Sequence, residues 1–318
     1  MLEFKPVTLS LRDEYEKRRE QCPVKSADYT FTNLWGWADK YGLSIAFTEH
    51  FAFIHQKFPY HCIWSPVGNW FNLEMDHFEK LLNSVYVPYS EEVPTMNIED
   101  GSLHEKLCMH RVTDDLVQYI QQNYRKNVAI IEAKGQWEYI YSQKDLATLA
   151  GNRFHKKKNH VNSFYKSYAC EFHPLTTQSG VKGSLDDLLE LQNEWCKWHD
   201  CEHSPSLYAE NDAVFRVIGN WEKLGNLFGG SFYIDNQMVA FAVGERLDDE
   251  NVVVHFEKAK ADYRGIYQAI NHAFVNNCTE GYSFINREQD LDEEGIRKAK
   301  LSYNPVDFLK KSTLVFTM

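Results

Sequence analysis

Residues 229–234 (GGSFYI), 238–247 (MVAFAVGERL) and 252–260 (VVVHFEKAK) decide the fold. Each run is apolar, strand-length and rich in β-branched or aromatic residues. Asp235-Asn236, a tight-turn pair, separates the first two, and Asp248-Asp249-Glu250-Asn251 separates the second and third. Short apolar runs bounded by turn residues predict an antiparallel meander. Downstream, 264–278 (RGIYQAINHAFVNNC) has helical periodicity, 282–287 (YSFINR) reads as a strand, and 293–302 (EEGIRKAKLS) as a helix closed by Pro305. A last strand is expected at 312–317 (STLVFT). Upstream, 169–176 alternates like a strand, and 185–199 reads as a helix capped by Ser184, with Asp186 and Asp187 at the positive end of its dipole. A second helix is expected over 211–223, stopped near Gly225. The order β-α-α-β-β-β-α-β-α-β predicts an α+β fold, an α/β sandwich around one central sheet.

The first half is a looser mixture. Strands are expected at 43–56 and 61–66, helices at 74–85, 102–110 and 114–124, and a hairpin of 127–133 with 136–141 around Lys134-Gly135. Residues 143–168 read as a largely helical connector. The expected division is therefore an N-terminal domain at 1–142, the connector at 143–168 and a C-terminal domain at 169–318 carrying the site.

Charge narrows the partners. The 318 residues carry a net charge of −11, so the molecule as a whole does not attract nucleic acid, and only a local basic patch serves. Such a patch exists: no acidic residue occurs from 146 to 170, where Arg153, Lys156, Lys157 and Lys158 are interleaved with Phe154, Phe164 and Tyr165. A tRNA acceptor stem, a nucleotide phosphate or an anionic lipid surface would suit it. The 7 cysteines are odd in number and scattered, without C-x-x-C, which points to a reducing compartment and thiols used mostly as small apolar residues. The segment 196–203 (CKWHDCEH) has no known finger spacing, and no metal is expected. There is no signal-peptide pattern and no apolar run long enough to span a bilayer. The expected location is the cytoplasm, with peripheral contact at the inner membrane surface left open.

Three stretches carry a family resemblance: 145–166 (DLATLAGNRFHKKKNHVNSFYK), 240–275 (AFAVGERLDDENVVVHFEKAKADYRGIYQAINHAFV) and 286–305 (NREQDLDEEGIRKAKLSYNP), with 29–42 (YTFTNLWGWADKYG) upstream. The chain resembles the free-standing bacterial proteins similar to the C-terminal domain of phosphatidylglycerol lysyltransferase. The resemblance implies two tandem GNAT (acyl-CoA N-acyltransferase-like) folds, and the element order of the second half is itself that of a GNAT fold. It implies an acyl- or aminoacyl-transferase whose donor is aminoacyl-tRNA and whose acceptor is an amine or hydroxyl, such as a phospholipid headgroup. Two rivals stay open: a non-catalytic GNAT-fold binding module for an anionic ligand, and an acetyl-CoA-dependent N-acetyltransferase.

Candidate residues follow from strand ends and charge. Strict alternation along 252–260 puts His255 and Glu257 on one face, with Val254, Phe256 and Lys258 on the other. Glu257 or Glu288 is the expected general base. Asn286, Arg287, Glu288 and Asp290 follow an apolar strand, where open sheets bind ligands; with His255, the residues Asn286, Arg287 and Asp290 are expected to touch substrate. Lys298-Ala299-Lys300 and Pro305 match a Lys-x-Lys, aromatic and Pro pattern of the similar lysyltransferases. The resemblance implies Lys298 and Lys300 as stabilisers of developing negative charge and Tyr303, as in GNAT enzymes, as the acid. The turn Tyr263-Arg264-Gly265-Ile266-Tyr267 stands where acetyl-CoA-using GNAT proteins cradle pyrophosphate on a helix N-terminus. Tyr267 occupies the place of a second glycine, so acyl-CoA is the weaker donor.

Overall fold

The computed structural model describes residues 2–85 and 106–317. The chain forms two compact units: one runs to Trp137 and resumes at Leu309, the other is Glu138–Phe308. The boundary therefore falls at Glu138, not at 142 or 168, and the segment expected as a connector belongs to the second unit.

The first unit contains β1 (Lys5–Pro6), α1 (Arg12–Arg19), α2 (Phe31–Tyr41), β2 (Ser44–Phe47), β3 (Phe51–Gln56), β4 (Cys62–Trp64), β5 (Val67–Gly68), α3 (Met75–Val85), β6 (Lys106–Thr113), α4 (Asp114–Asn123) and β7 (Val128–Glu132). Two expectations fail here. Residues 106–110 are strand, not helix, and 102–105 lie outside the described residues. Leu107, Cys108, Met109 and Val112 of β6 are all buried, and a run buried on both faces has no period to distinguish strand from helix. The expected hairpin is also absent. A 3-10 turn at Lys134–Gln136 follows β7, which pairs with the strand at Lys311–Thr317, while the strand at Glu138–Ser142 joins the other sheet.

The second unit contains β8 (Glu138–Ser142), α5 (Gln143–Thr148), α6 (His155–Ser167), β9 (Glu171–Pro174), α7 (Leu185–Trp198), α8 (Pro205–Ile218), α9 (Trp221–Leu224), β10 (Leu227–Ile234), β11 (Gln237–Arg246), β12 (Asn251–Ala259), α10 (Ile266–Cys278), β13 (Phe284–Asn286), α11 (Glu294–Leu301) and β14 (Asp307–Leu309). Its sheet runs β14-β8-β13-β12-β11-β10-β9. The meander β10-β11-β12 is antiparallel, and α10 is the crossover that brings β13 parallel to β12. Ser184 caps α7 by accepting the Asp187 N–H at 3.2 Å. The last strand, β15 (Lys311–Thr317), lies between β6 and β7 in the first unit's sheet, not in this one.

One face of this sheet packs on α10. Ala240, Ala242, Val252, Val254, Ile270, Phe274 and Ile285 are all buried in that layer. Each large side chain stabilises the fold by about 1.5–3 kcal/mol on burial. Gly244 lies over Phe274, whose Cζ would be 2.8 Å from an added Cβ.

A β-bulge sets the geometry of β12. Val243 faces Phe256, but Gly244 faces Val254, leaving His255 as the extra residue. A bulge interrupts alternation. Glu257, opposite Ala242, shares the α10 face with Val254, while His255 and Lys258 reach groups on the other face. The expected alternation, with His255 and Glu257 on one face, is overturned by this one residue.

Cys196 and Cys201 form a disulfide with a Cα–Cα distance of 5.2 Å. The expectation of thiols used mostly as small apolar residues does not extend to these two.

Candidate active site

β12 and β13 are paired only from Asn251↔Phe284 to Val253↔Asn286, after which β12 continues to Ala259 paired with β11 but not with β13. The chain beyond β13 stays with β8 instead: Arg287 N–H donates to the Tyr139 carbonyl at 3.0 Å, and Tyr139 N–H to the Glu288 carbonyl at 3.2 Å. The strands thus part, and a group of polar side chains stands beyond the parting.

Glu257 is held from two sides on the α10 face. Arg287 Nη2 lies 3.4 Å from both carboxylate oxygens, and Asn271 Nδ2 of α10 donates to Oε2 at 3.1 Å. The Arg287 guanidinium lies 4.9 Å from the centre of the Tyr303 ring and 5.9 Å from that of Tyr141. Lys157 of α6 places its ammonium 3.9 Å from the Tyr303 ring centre. Two cations against one aromatic ring are each worth ~0.5–2 kcal/mol. Burial and the neighbouring Arg287 cation lower the Lys157 pKa to about 8, with Glu257 acting the other way. Burial pushes the Tyr303 hydroxyl well above the usual tyrosine value. Glu257, Arg287, Tyr303 and Lys157 therefore form one constellation: a carboxylate, two cations and a phenol that keeps its proton.

The other expected residues are placed elsewhere. His255 has a fully buried side chain with both ring nitrogens engaged, one on Glu288, so neither it nor Glu288 stands beside Glu257. Lys298 is exposed on α11 and pairs with Glu294 at 2.6 Å. Lys300 donates to the Arg287 carbonyl at 2.6 Å and to the Gln289 carbonyl, and burial lowers its pKa to about 8. It pins the turn rather than facing a ligand. Asn286 donates to Glu138, and Asp290 is buried against Arg297 at 2.8 Å and Tyr139 at 2.6 Å. Arg153 pairs with Asp145 at 2.5 Å, while Lys156 and Lys158 are exposed.

The start of α10 does not fit a pyrophosphate cradle. Gly265 has φ +88°, and an added Cβ would lie 2.8 Å from the His160 carbonyl of α6, so its missing side chain serves helix packing. Tyr168 OH accepts the Arg264 N–H at 3.3 Å, and Tyr263 packs on the Tyr168 ring at 5.1 Å. The Tyr267 hydroxyl is taken by Trp195 Nε1 at 3.2 Å and by the Ala259 carbonyl at 3.3 Å. No chemical step is routed through a CoA here.

Asn271 and Tyr141 were missed from sequence. Asn271 and His272 interrupt the apolar AINHAF run, and that interruption was the available signal for Asn271. Lys157 carried a signal too: Phe154, Val161 and Phe164 are buried, and position 157 falls on the same helical stripe.

The second unit has a mixed α/β, GNAT-like fold, and comparison with known proteins gives the family. The family model for the phosphatidylglycerol lysyltransferase C-terminal region matches residues 98–315, and the chain belongs to that family. An uncharacterised protein of Mycoplasmoides gallisepticum, MYCGA3080, is 29% identical over 208 residues, spanning 64% of this chain and 63% of that protein. The chain thus matches under two thirds of that relative's length. A conserved protein of unknown function from Bacteroides thetaiotaomicron is similar at a TM-score of 0.85 and 31% identity, over 99% of this chain and 100% of that one. The C-terminal domain of what is described as a lysylphosphatidylglycerol synthetase from Agrobacterium fabrum has a TM-score of 0.64 at 12% identity, covering 97% of this chain and 92% of that one. The expected fold class, α+β with two GNAT-like folds in tandem, stands. Among the described residues no helix is long and apolar enough to cross a membrane.

Proposed function

We propose that the protein is an acyl- or aminoacyl-transferase whose chemistry lies beyond the parting of β12 and β13. The Glu257–Arg287–Tyr303–Lys157 constellation carries the reading. Family membership supports an aminoacyl-tRNA donor and a phospholipid headgroup acceptor, encountered at the cytoplasmic membrane surface. The acceptor hydroxyl or amine attacks the ester carbonyl and gives its proton to Glu257. Arg287 and Lys157 stabilise the oxyanion of the tetrahedral intermediate, a task first expected of Lys298 and Lys300. Collapse breaks the ester C–O bond, and Tyr303 protonates the departing ribose alkoxide. Its raised pKa brings the phenol closer to that alkoxide than an ordinary tyrosine would be.

The test is incubation with labelled lysyl- or alanyl-tRNA and phosphatidylglycerol vesicles, with extraction of labelled lipid. Labelled lipid that disappears in Glu257→Gln is the expected result. No transfer from any aminoacyl-tRNA, together with tight acyl-CoA binding by calorimetry, would overturn the aminoacyl-tRNA donor.

A further inference from the structure

The face of the sheet away from α10 holds a charged group that the transfer chemistry does not use. His255 Nε2 lies 3.0 Å from Glu245 Oε2 on β11, and Nδ1 lies 2.9 Å from Glu288 Oε1 on the turn after β13. The His255 side chain is 0% exposed and that of Glu245 only 2%. Both ring nitrogens face carboxylates, so both carry hydrogen and the ring is an imidazolium. The bulge matters here, because it sets His255 on the face opposite Glu257.

Glu288 is held in an unusual backbone state. Its φ is +55°, a left-handed conformation that is unfavourable for a non-glycine residue and persists only where neighbours enforce it. The enforcing contacts are visible. Asn286 Oδ1 accepts the Glu288 N–H at 2.8 Å, Tyr139 N–H donates to its carbonyl, and His255 grips its carboxylate. Arg287 immediately precedes it. With Glu288 drawn to one face of the sheet, Arg287 emerges on the other, against Glu257 and Tyr303.

We propose that the Glu245–His255–Glu288 bridge is the device that aims Arg287 into the cleft, making His255 a positioning residue rather than a substrate ligand. The task given to Arg287 rests on the proposed transferase reading; the coupling of the bridge to Arg287 does not. Burial disfavours the imidazolium, but the hydrogen bonds and charges of Glu245 and Glu288 outweigh it and raise the His255 pKa to about 9. From the helices packed on this face, Glu194 of α7 and Glu210 of α8 are paired with Lys260 and Lys258. Lys300 of α11 interacts with Glu288 and donates to the Arg287 carbonyl, and Lys157 of α6 interacts with Arg287; both lysines titrate near 8, below His255. Deprotonation of His255 therefore takes away the proton that its ring donates to one of the two carboxylates.

The experiment is a pH titration of the isotope-labelled full chain by NMR, following the His255 ring nitrogens and the Arg287 Nε–H without substrate. Arg287 is expected to shift with the same midpoint as His255. Glu245→Gln keeps the side-chain volume but removes a charge, and is expected to lower both midpoints together by about tenfold in proton affinity. His255→Ala is expected to broaden or move the Arg287 signal at every pH; should it fail to fold, Glu245→Gln decides alone. An Arg287 signal that ignores the His255 titration, or a Glu245→Gln variant that moves His255 and leaves Arg287 in place, would overturn the proposal. Because this readout needs no turnover, it stands or falls separately from loss of transfer in Glu257→Gln.

Discussion

His255 should withdraw stability from the fold as pH rises from 6.5 to 8. The group has its folded pKa raised from 6.5 to about 9. A raised pKa stabilises the fold fully below the unfolded value, and that contribution is lost as pH climbs toward the folded value. Each pH unit inside the window is worth at most ~1.4 kcal/mol, so the interval from 6.5 to 8 removes about 2 kcal/mol. Other shifted groups act with the opposite sign across the same interval. Burial lowers His55 and His110 to about 4, and lowers His61 and His272 as well, so each still adds about 0.4 kcal/mol or less while its unfolded imidazole finishes deprotonating above pH 6.5. Lys157 and Lys300, lowered by burial to about 8, begin to add stability as pH nears 8. The assay is urea unfolding at pH 6.5 and 8 for wild type and His255→Gln, in which the other groups still titrate. The pH-dependent change should be roughly 2 kcal/mol more destabilising in wild type than in the variant. Equal changes in the two proteins would refute the assignment to His255.

Other outcomes follow from the site and its support. Glu257→Gln should lower kcat/KM for aminoacyl transfer by about 100-fold or more, as removal of a general base does, with the fold intact by circular dichroism. Lys157→Ala should lower transfer by roughly 10- to 100-fold while Lys298→Ala, on an exposed Glu294 pair, leaves it unchanged; equal effects of the two would move the active cation to α11. Gly244→Ala would place a Cβ 2.7 Å from the Val253 carbonyl and 2.8 Å from Phe274. It should cost about 1–3 kcal/mol in chemical denaturation.

The second unit was largely legible because its signals are local. The runs behind β10, β11 and β12 are bounded by turn residues, and Ser184 sits where a helix cap must. What escaped was decided by partners distant in sequence. Nothing in VVVHFEKA announces that Val243 will face Phe256 while Gly244 faces Val254, yet that slip separates His255 from Glu257. Lys157 and Lys158 are neighbours of one type in one basic run; only the packing of α6 sends the first to Tyr303 and leaves the second exposed. Lys298 and Lys300 likewise share a helix, but only Lys300 reaches the carbonyls of the turn. Glu257, Arg287 and Tyr303 were legible as candidates from strand ends and resemblance, whereas Asn271, the second hold on Glu257, lay hidden in a helix read as core.

The placing of β15 has a consequence for biosynthesis. Leu314 and Phe316 of that strand are fully buried between β6 and β7, and Lys311 is buried beside Asp28 and donates to it. All of these partners are translated before residue 138, but the strand that joins them is translated after residue 308. Until then β6 and β7 leave the ribosome with their inner edges unpaired, and such edges invite pairing with other chains. The unit made first is the one that closes last, so a growing chain must carry an open sheet through the synthesis of the whole catalytic candidate. Truncation within 311–317 should accordingly be felt most by the half of the protein farthest from it in sequence.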